Sequence, residues 1–371
     1  MASAERIIKD LLKEANVKVG GKRPQDLVVH DKRFYRRALR DQVLGVGESY
    51  MDGWWDAKHL DVLMSRIIAA DLGSKVKASP KILLAGASAK LLNKQNLKRA
   101  AKNAQHHYGM GNDLYEVMLD KRMIYSCGYW KGTRSLDKAQ EQKLDLICRK
   151  LELDKGMKVL DIGCGWGGFL EYAAKKYGIR GVGVTPVGEQ VEVAKKRVKN
   201  LNVKIIQDDY RNVTGKYDRI VSIGSFEHIG HKNHKKFFEV CDRLLKPGGM
   251  MLHHFIGGNT DSFKPDPWIN KYIFPNGSIP SLKQVSKAIE GKFLIEDLHN
   301  FGPDYDKTLM AWHKNFSKGY KKLNQNYDER FYRMWSFYLL MCAAGFRQRD
   351  LQLWQFVMRR IEPAETYRGV R

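Results

Sequence analysis

No stretch of this 371-residue chain approaches the roughly 20 consecutive apolar residues of a membrane-spanning helix, so any dealings with a bilayer are expected at its surface. Met1–Arg6 shows no apolar core of a secretory signal. Cysteine is sparse: Cys127, Cys148, Cys164, Cys241 and Cys342 form no C-x-x-C pair, and their odd number leaves no disulfide framework. A reducing cytoplasm is the expected location. Zinc-type spacings such as H-E-x-x-H are missing, and no metal is expected. Internal repeats and low-complexity tracts are absent as well. Acidic residues are the last deficit: 41 Asp and Glu face 65 Lys and Arg, a net charge of +24. Such an excess suits a polyanionic partner, either nucleic acid or an anionic membrane, or else a generally basic solvated surface.

What is present is most informative at Val159–Gly168. A short apolar run ends in Asp161 and breaks into Gly163, Gly165, Gly167 and Gly168 before a helical pattern at Phe169–Ala174. Strand, tight turn and helix in succession read as the first βα turn of an open α/β sheet, where ligands bind beyond the strand ends. Asp161 lies inside the turn, two residues before the first glycine. A pyrophosphate would be repelled by that carboxylate, whereas adenosine and an amino-acid ammonium group would not, so the turn fits S-adenosylmethionine (AdoMet). Further strands are expected at Lys158–Ile162, Gly181–Val184, Val203–Ile206, Arg219–Ile223 and Met250–Phe255, alternating with helices as in a mostly parallel sheet. Lys246–Gly249 reads as a turn, and residues 325–360 read as helical and aromatic.

Upstream, residues 1–75 read as a smaller, mainly helical domain, with apolar residues at helical spacing in Ile7–Leu12 and Leu60–Ile68. A turn is expected over Gly45–Trp55 and some strand near Val28 and Val29. Residues 76–100 carry Lys77, Lys81, Lys90, Lys94, Lys98 and Arg99 among leucines. This basic amphipathic linker is suited to anionic lipid heads, or to packing its apolar stripe on a neighbouring domain. Residues 101–371 form the expected AdoMet-binding domain. In it Thr185, with Glu189 and Gln190 a turn later, stands where nucleoside-binding folds often place an acid for the ribose. Asp208, Asp209 and Tyr210 end the third strand, where adenine would lie. Phe226-Glu227-His228 follows the fourth strand, and His253 and His254 lie near the end of the fifth. Read singly, Cys127, Tyr305 and Cys342 are more often structural than catalytic.

Together these segments resemble the bacterial cyclopropane-fatty-acyl-phospholipid synthases. The resemblance rests on His107-Tyr108 with Gly111–Tyr115, Tyr125-Ser126-Cys127, Val159–Gly168, Phe226-Glu227-His228, Asp266–Pro275 and Asp304-Tyr305-Asp306. It implies a Rossmann-like methyltransferase domain with a mostly parallel seven-stranded sheet. It implies AdoMet as donor to a cis double bond in a phospholipid acyl chain, through a carbocation deprotonated by bound bicarbonate. By the same resemblance the anion is held by Cys127, Glu227, His254, the Ile256 backbone and Tyr305, with Cys342 in a positioning role. Glu227 would be protonated, or share a proton with the anion, to avoid like-charge repulsion. The AdoMet site carries over to Tyr125, Ser126, Gly163, Gly165, Thr185, Gln190, Asp209 and Tyr210, joining Asp161. Phe226, Tyr272, Phe274 and Tyr305 offer aromatic faces to a passing cation or pack as core. A homodimer, peripheral at the inner membrane face and without a nucleic-acid partner, is also implied. Three rivals remain at this stage: an RNA methyltransferase, an inactive membrane-surface protein, and an enzyme that makes methyl-branched or hydroxylated chains. The chain lacks an RNA-binding module and an Asn-Pro-Pro-Tyr-like tetrad after the fourth strand.

Overall fold

The computed structural model describes residues 3–76, 111–261, 266–323 and 325–371. The basic segment beyond Val76 and the pair His107-Tyr108 lie outside the described residues. By its internal contacts the chain divides into two units, neither continuous in sequence. Described residues of the first fall in 3–76, 266–275 and 305–351; those of the second fall in 111–261, 276–304 and 352–371.

The first unit is mainly helical. Ala4–Glu14 is capped by Ser3, and Leu60–Ala69 buries Leu60, Leu63 and Met64. Strands β1 (Leu27–Val29) and β2 (Trp55–Ala57) pair antiparallel. The expected turn over Gly45–Trp55 is corrected, because the helix Arg33–Met51 runs through most of it and only residues 52–53 turn. The glycines there serve close packing. A Cβ on Gly47 would lie 2.4 Å from the ring of Trp268, so this helix can meet the Pro267–Tyr272 helix only through hydrogen. Buried Glu48 is saturated on the same helix by Arg37 (2.5 Å), Lys271 (2.6 Å) and the Tyr272 hydroxyl (2.9 Å). Glu329–Arg347 buries Trp335, Phe337 and Leu339, and its last residue, Arg347, bridges Asp61 and Asp306. Among the described residues no helix is long and apolar enough to cross a membrane.

The second unit holds a seven-stranded sheet. Its strands are β3 (Lys158–Ile162), β4 (Arg180–Thr185), β5 (Val203–Gln207), β6 (Tyr217–Ile223), β7 (Leu245–Gly258), β8 (Phe293–Asn300) and β9 (Leu351–Arg360). The order is β5-β4-β3-β6-β7-β9-β8, parallel from β5 to β7 and antiparallel between β8 and β9. The order reverses between β3 and β6, which creates a crevice at their C-terminal ends. Apolar side chains cover both faces. Leu144, Phe169, Leu170 and Val191 pack one face, and Phe237, Phe238, Phe255 and Phe356 the other. Burial on both sides explains why these strands read as continuous apolar runs. Lys246–Gly249 does loop out, but within β7: Tyr217 pairs with Leu245 and Arg219 with Met250.

The helical expectation for 325–360 needs one correction, since Leu351–Arg360 is strand β9. Its buried run from Gln352 to Met358 carries no alternation that would separate a central strand from a buried helix. Beneath it, fully buried Lys150 is neutralised by Asp297 at 2.8 Å, which Arg371 also holds at 2.7 Å. Replacing Asp297 by alanine would leave the Lys150 ammonium buried and unpaired. A loss of about 3–5 kcal/mol in urea unfolding is expected; a loss under about 1 kcal/mol would mean that water reaches Lys150.

Candidate active site

The crevice between β3 and β6 opens into a cleft whose floor is the glycine turn. Gly163 adopts φ +81°, and a Cβ there would stand 2.5 Å from Ser225 Cβ, so both the backbone angle and the space demand glycine. Tyr125 lines one wall, its ring 5.3 Å from Tyr115, which in turn lies 4.9 Å from Trp166. Opposite, the Thr185 hydroxyl donates to Gln190 Oε1 at 3.0 Å. Asp209 caps the short turn that follows β5 and pairs with Arg211 at 2.7 Å. The Tyr210 hydroxyl is buried without a partner among the described residues. The cleft brings together all nine residues expected around AdoMet: Tyr125, Ser126, Asp161, Gly163, Gly165, Thr185, Gln190, Asp209 and Tyr210.

Asp161 is buried at the end of β3, and among the described residues its Oδ1 has no hydrogen-bond partner. Desolvation pushes its carboxyl up to about 7, opposed by the charge of Lys143. Sequence reasoning missed Lys143. It lines the cleft from the helix Leu136–Lys150, fully buried, and donates to Ser126 Oγ at 2.8 Å. Gln140, one turn earlier, donates to the Ser126 carbonyl at 2.7 Å. The available signal was the spacing of Ala139, Lys143, Leu146 and Lys150, which sets two lysines on the buried stripe of that helix.

A second cluster forms where β6 and β7 end. Glu227 Oε1 accepts the Ile256 amide at 2.5 Å, while Glu227 Oε2 is buried with no partner among the described residues. Burial pushes this carboxyl up to about 7. His254 Nδ1 lies 3.1 Å from Gln355 Nε2, and His254 Nε2 is buried and unpartnered among the described residues. Burial, reinforced by the charge of Lys143, holds the His254 imidazole neutral. Cys127 is fully buried, its thiol 3.2 Å from the Gly128 carbonyl, and it interacts with Lys143. His253 does not join this group. Successive residues of a strand point to opposite faces, and the His253 ring lies 4.5 Å from both Phe226 and Phe255. Phe226 is likewise fully buried, stacked 4.3 Å from His234, so it is core rather than a face offered to substrate.

Comparison with known proteins gives this geometry a lineage. The family described as mycolic acid cyclopropane synthetase matches residues 95–356. A cyclopropane-fatty-acyl-phospholipid synthase of Escherichia coli is 48% identical over 355 residues, covering 96% of this chain and 93% of that protein. The tuberculostearic acid methyltransferase UfaA1 of Mycobacterium tuberculosis is 31% identical, covering 88% and 81%. The solved mycolic acid cyclopropane synthase CmaA1, complexed with SAH and CTAB, superimposes with a TM-score of 0.66 at 31% identity, covering 70% of this chain and 97% of that one. The chain belongs to the cyclopropane synthase family. It is therefore an AdoMet-dependent enzyme of cyclopropane fatty acid synthesis, carried on the methyltransferase sheet described above.

In this synthase two expected site residues belong to the first unit. Tyr305 is buried there, its ring 4.4 Å from Phe346 and 6.0 Å from Trp312. Cys342 lies on the helix Glu329–Arg347, where desolvation pushes its thiol up to about 12. Tyr272 and Phe274 also sit in the first unit, against Trp268 (5.4 Å) and Tyr338 (5.9 Å).

Proposed function

We propose that this enzyme adds a methylene unit from AdoMet across the cis double bond of an unsaturated acyl chain in a membrane phospholipid, with bicarbonate held beside Glu227 as the proton acceptor. The observation that carries the proposal is the pair of orphaned buried atoms, Glu227 Oε2 and His254 Nε2, at the ends of adjacent strands. Buried polar atoms without partners are rare and call for a ligand. A small oxyanion that both donates and accepts fits this pair. When bound, AdoMet supplies the electrophilic methyl group and bicarbonate the base.

This chain's own groups then have distinct tasks. Glu227, its carboxyl raised to about 7, keeps a proton near neutrality and can face an anion as a donor. The Ile256 amide, now on Glu227, and the neutral imidazole of His254 add directional partners, preorganised so that little rearrangement is needed. Cys127, in the same unit, completes this set. Asp161, unpartnered at Oδ1, accepts the cofactor's ammonium group. Gly163 and Gly165 bring backbone close to the methionyl portion, with Tyr125 and Ser126 beside it. Thr185 and Gln190 take the ribose, and Asp209 and Tyr210 take the adenine. An alkene is a weak nucleophile, so in-line placement in a dry pocket supplies much of the rate.

Residues 1–75 are assigned to lipid contact, 76–100 to a basic linker and 101–371 to catalysis, in a homodimer at the inner membrane surface. Exposed Lys32, Arg33, Arg36 and Arg40 at the start of one helix support the first assignment, since each cation near an anionic surface contributes about 1 kcal/mol. The CmaA1 complex with CTAB, a long-chain amphiphile, supports an acyl substrate. The likeness to a tuberculostearic acid methyltransferase favours methyl branching as the second reading.

Turnover in degassed, bicarbonate-free buffer tests the base. Activity on unsaturated vesicles should fall by at least about tenfold and return on adding bicarbonate, in line with the contribution of a positioned base. Turnover indifferent to bicarbonate would contradict the assignment.

A further inference from the structure

Lys143 is a lysine with no exposed surface that lines the AdoMet cleft. Its ammonium donates to Ser126 Oγ at 2.8 Å. The ionisable groups facing it are Asp120 from the loop after Asn112–Met118, Cys127 from the Tyr125–Cys127 segment, and Asp161 from β3. His254 of β7 feels the same charge. Asp120 is already committed, accepting the Ile124 amide at 2.8 Å and the Arg122 amide at 3.1 Å. Asp161 is not, since among the described residues its Oδ1 has no partner and Lys143 opposes its desolvation.

We propose that Lys143 is a positioning residue for AdoMet, its buried ammonium fixing the Ser126 hydroxyl while keeping Asp161 as the carboxylate that receives the cofactor's ammonium group. This role rests on the assignment of Asp161 to that ammonium. An isolated buried carboxyl tends to take up a proton, and a protonated Asp161 would lose its attraction for a cation. With Lys143 charged nearby, Asp161 ionises near neutrality, at about 7. Lys143, lowered by burial to about 8, still carries its proton there. Binding of AdoMet draws Asp161 further toward the carboxylate, so affinity should rise as pH climbs through 7.

Calorimetric titration of AdoMet into the full-length protein from pH 6 to pH 9 tests this role. The variants are Lys143→Met, Lys143→Gln, Asp161→Asn and the double variant Lys143→Met with Asp161→Asn. Lys143→Gln retains a donor toward Ser126 and guards against a Lys143→Met protein that does not fold. Removing the charge should weaken binding by about tenfold at pH 7, the change expected for one unit of Asp161 ionisation. The deficit should shrink toward pH 9, where Asp161 ionises unaided and wild-type Lys143 is itself neutral. In the double variant Lys143→Met should add less than about twofold to Asp161→Asn, because coupled residues are not additive. A deficit that is constant with pH and multiplies with that of Asp161→Asn would reduce Lys143 to a structural role. Unchanged binding in Asp161→Asn would instead remove the assignment of Asp161, and this role with it.

Discussion

Glu227→Gln should lower kcat by about 10²- to 10⁴-fold, the range for a group that manages a proton in the transition state, while AdoMet binds as before. The amide keeps the shape of the carboxyl and can still accept from Ile256, but it cannot share a proton with an anion at the position now held by Oε2. A matching loss in kcat and kcat/KM with unchanged AdoMet affinity would place the defect in the chemical step. Stability should move the other way. Burial raises the Glu227 carboxyl from 4.5 to about 7, so its favourable contribution is complete below pH 4.5 and is lost as pH rises through 7. The glutamine variant escapes that loss. In urea unfolding it should gain on wild type between pH 5 and pH 8 by on the order of 3 kcal/mol, a trade of stability for function seen at many active sites. Equal pH dependence in the two proteins would show that Glu227 is solvated.

Gly163→Ala should abolish measurable AdoMet binding and destabilise the fold by about 2–4 kcal/mol, the combined effect of a strained backbone and an overpacked turn. The alanine would need φ +81° and would place its Cβ 2.5 Å from Ser225 Cβ. Ser225 cannot simply yield, because its hydroxyl holds both Ser222 Oγ (2.8 Å) and the Ile162 carbonyl (3.1 Å). The turn would open at the point where β3 delivers Asp161 to the cleft. AdoMet titration and denaturant unfolding of the variant measure the two effects. Tight AdoMet binding by Gly163→Ala would mean that the cofactor does not use this turn.

The parts legible in the sequence were those with local signals. Strand β3 falls at its expected residues, and β4, β5 and β6 differ by at most two residues at an end, because apolar runs bounded by turns mark buried parallel strands. Most cleft residues were legible for a related reason: they sit on strand ends and the turns just after them, where this sheet topology gathers side chains, whereas Tyr125 and Ser126 precede the sheet and were reached only through the family resemblance. What escaped depended on distant packing. Gly47 looks like a turn residue until Trp268, more than two hundred residues away, is laid against the helix. Strand β9 is apolar throughout and shows no period of its own. Lys143 and Lys150 look like the solvated lysines of an amphipathic helix, and only Ser126 and Asp297 show that both are buried. The placement of Tyr305 and Cys342 in the first unit depends on a chain that leaves and re-enters that unit, a feature with no local sequence signal.

Ring closure through loss of a proton from the transferred methyl group is the central claim, and AdoMet carrying a trideuterated methyl group tests it most directly. The purified enzyme would be incubated with this donor and unsaturated phospholipid vesicles, and the acyl chains released and weighed by mass spectrometry. Ring formation predicts a gain of one carbon with two deuteriums, in a product that resists mild hydrogenation. Retention of all three deuteriums, or a product that takes up hydrogen at a double bond, would contradict ring closure and favour the branched-chain reading.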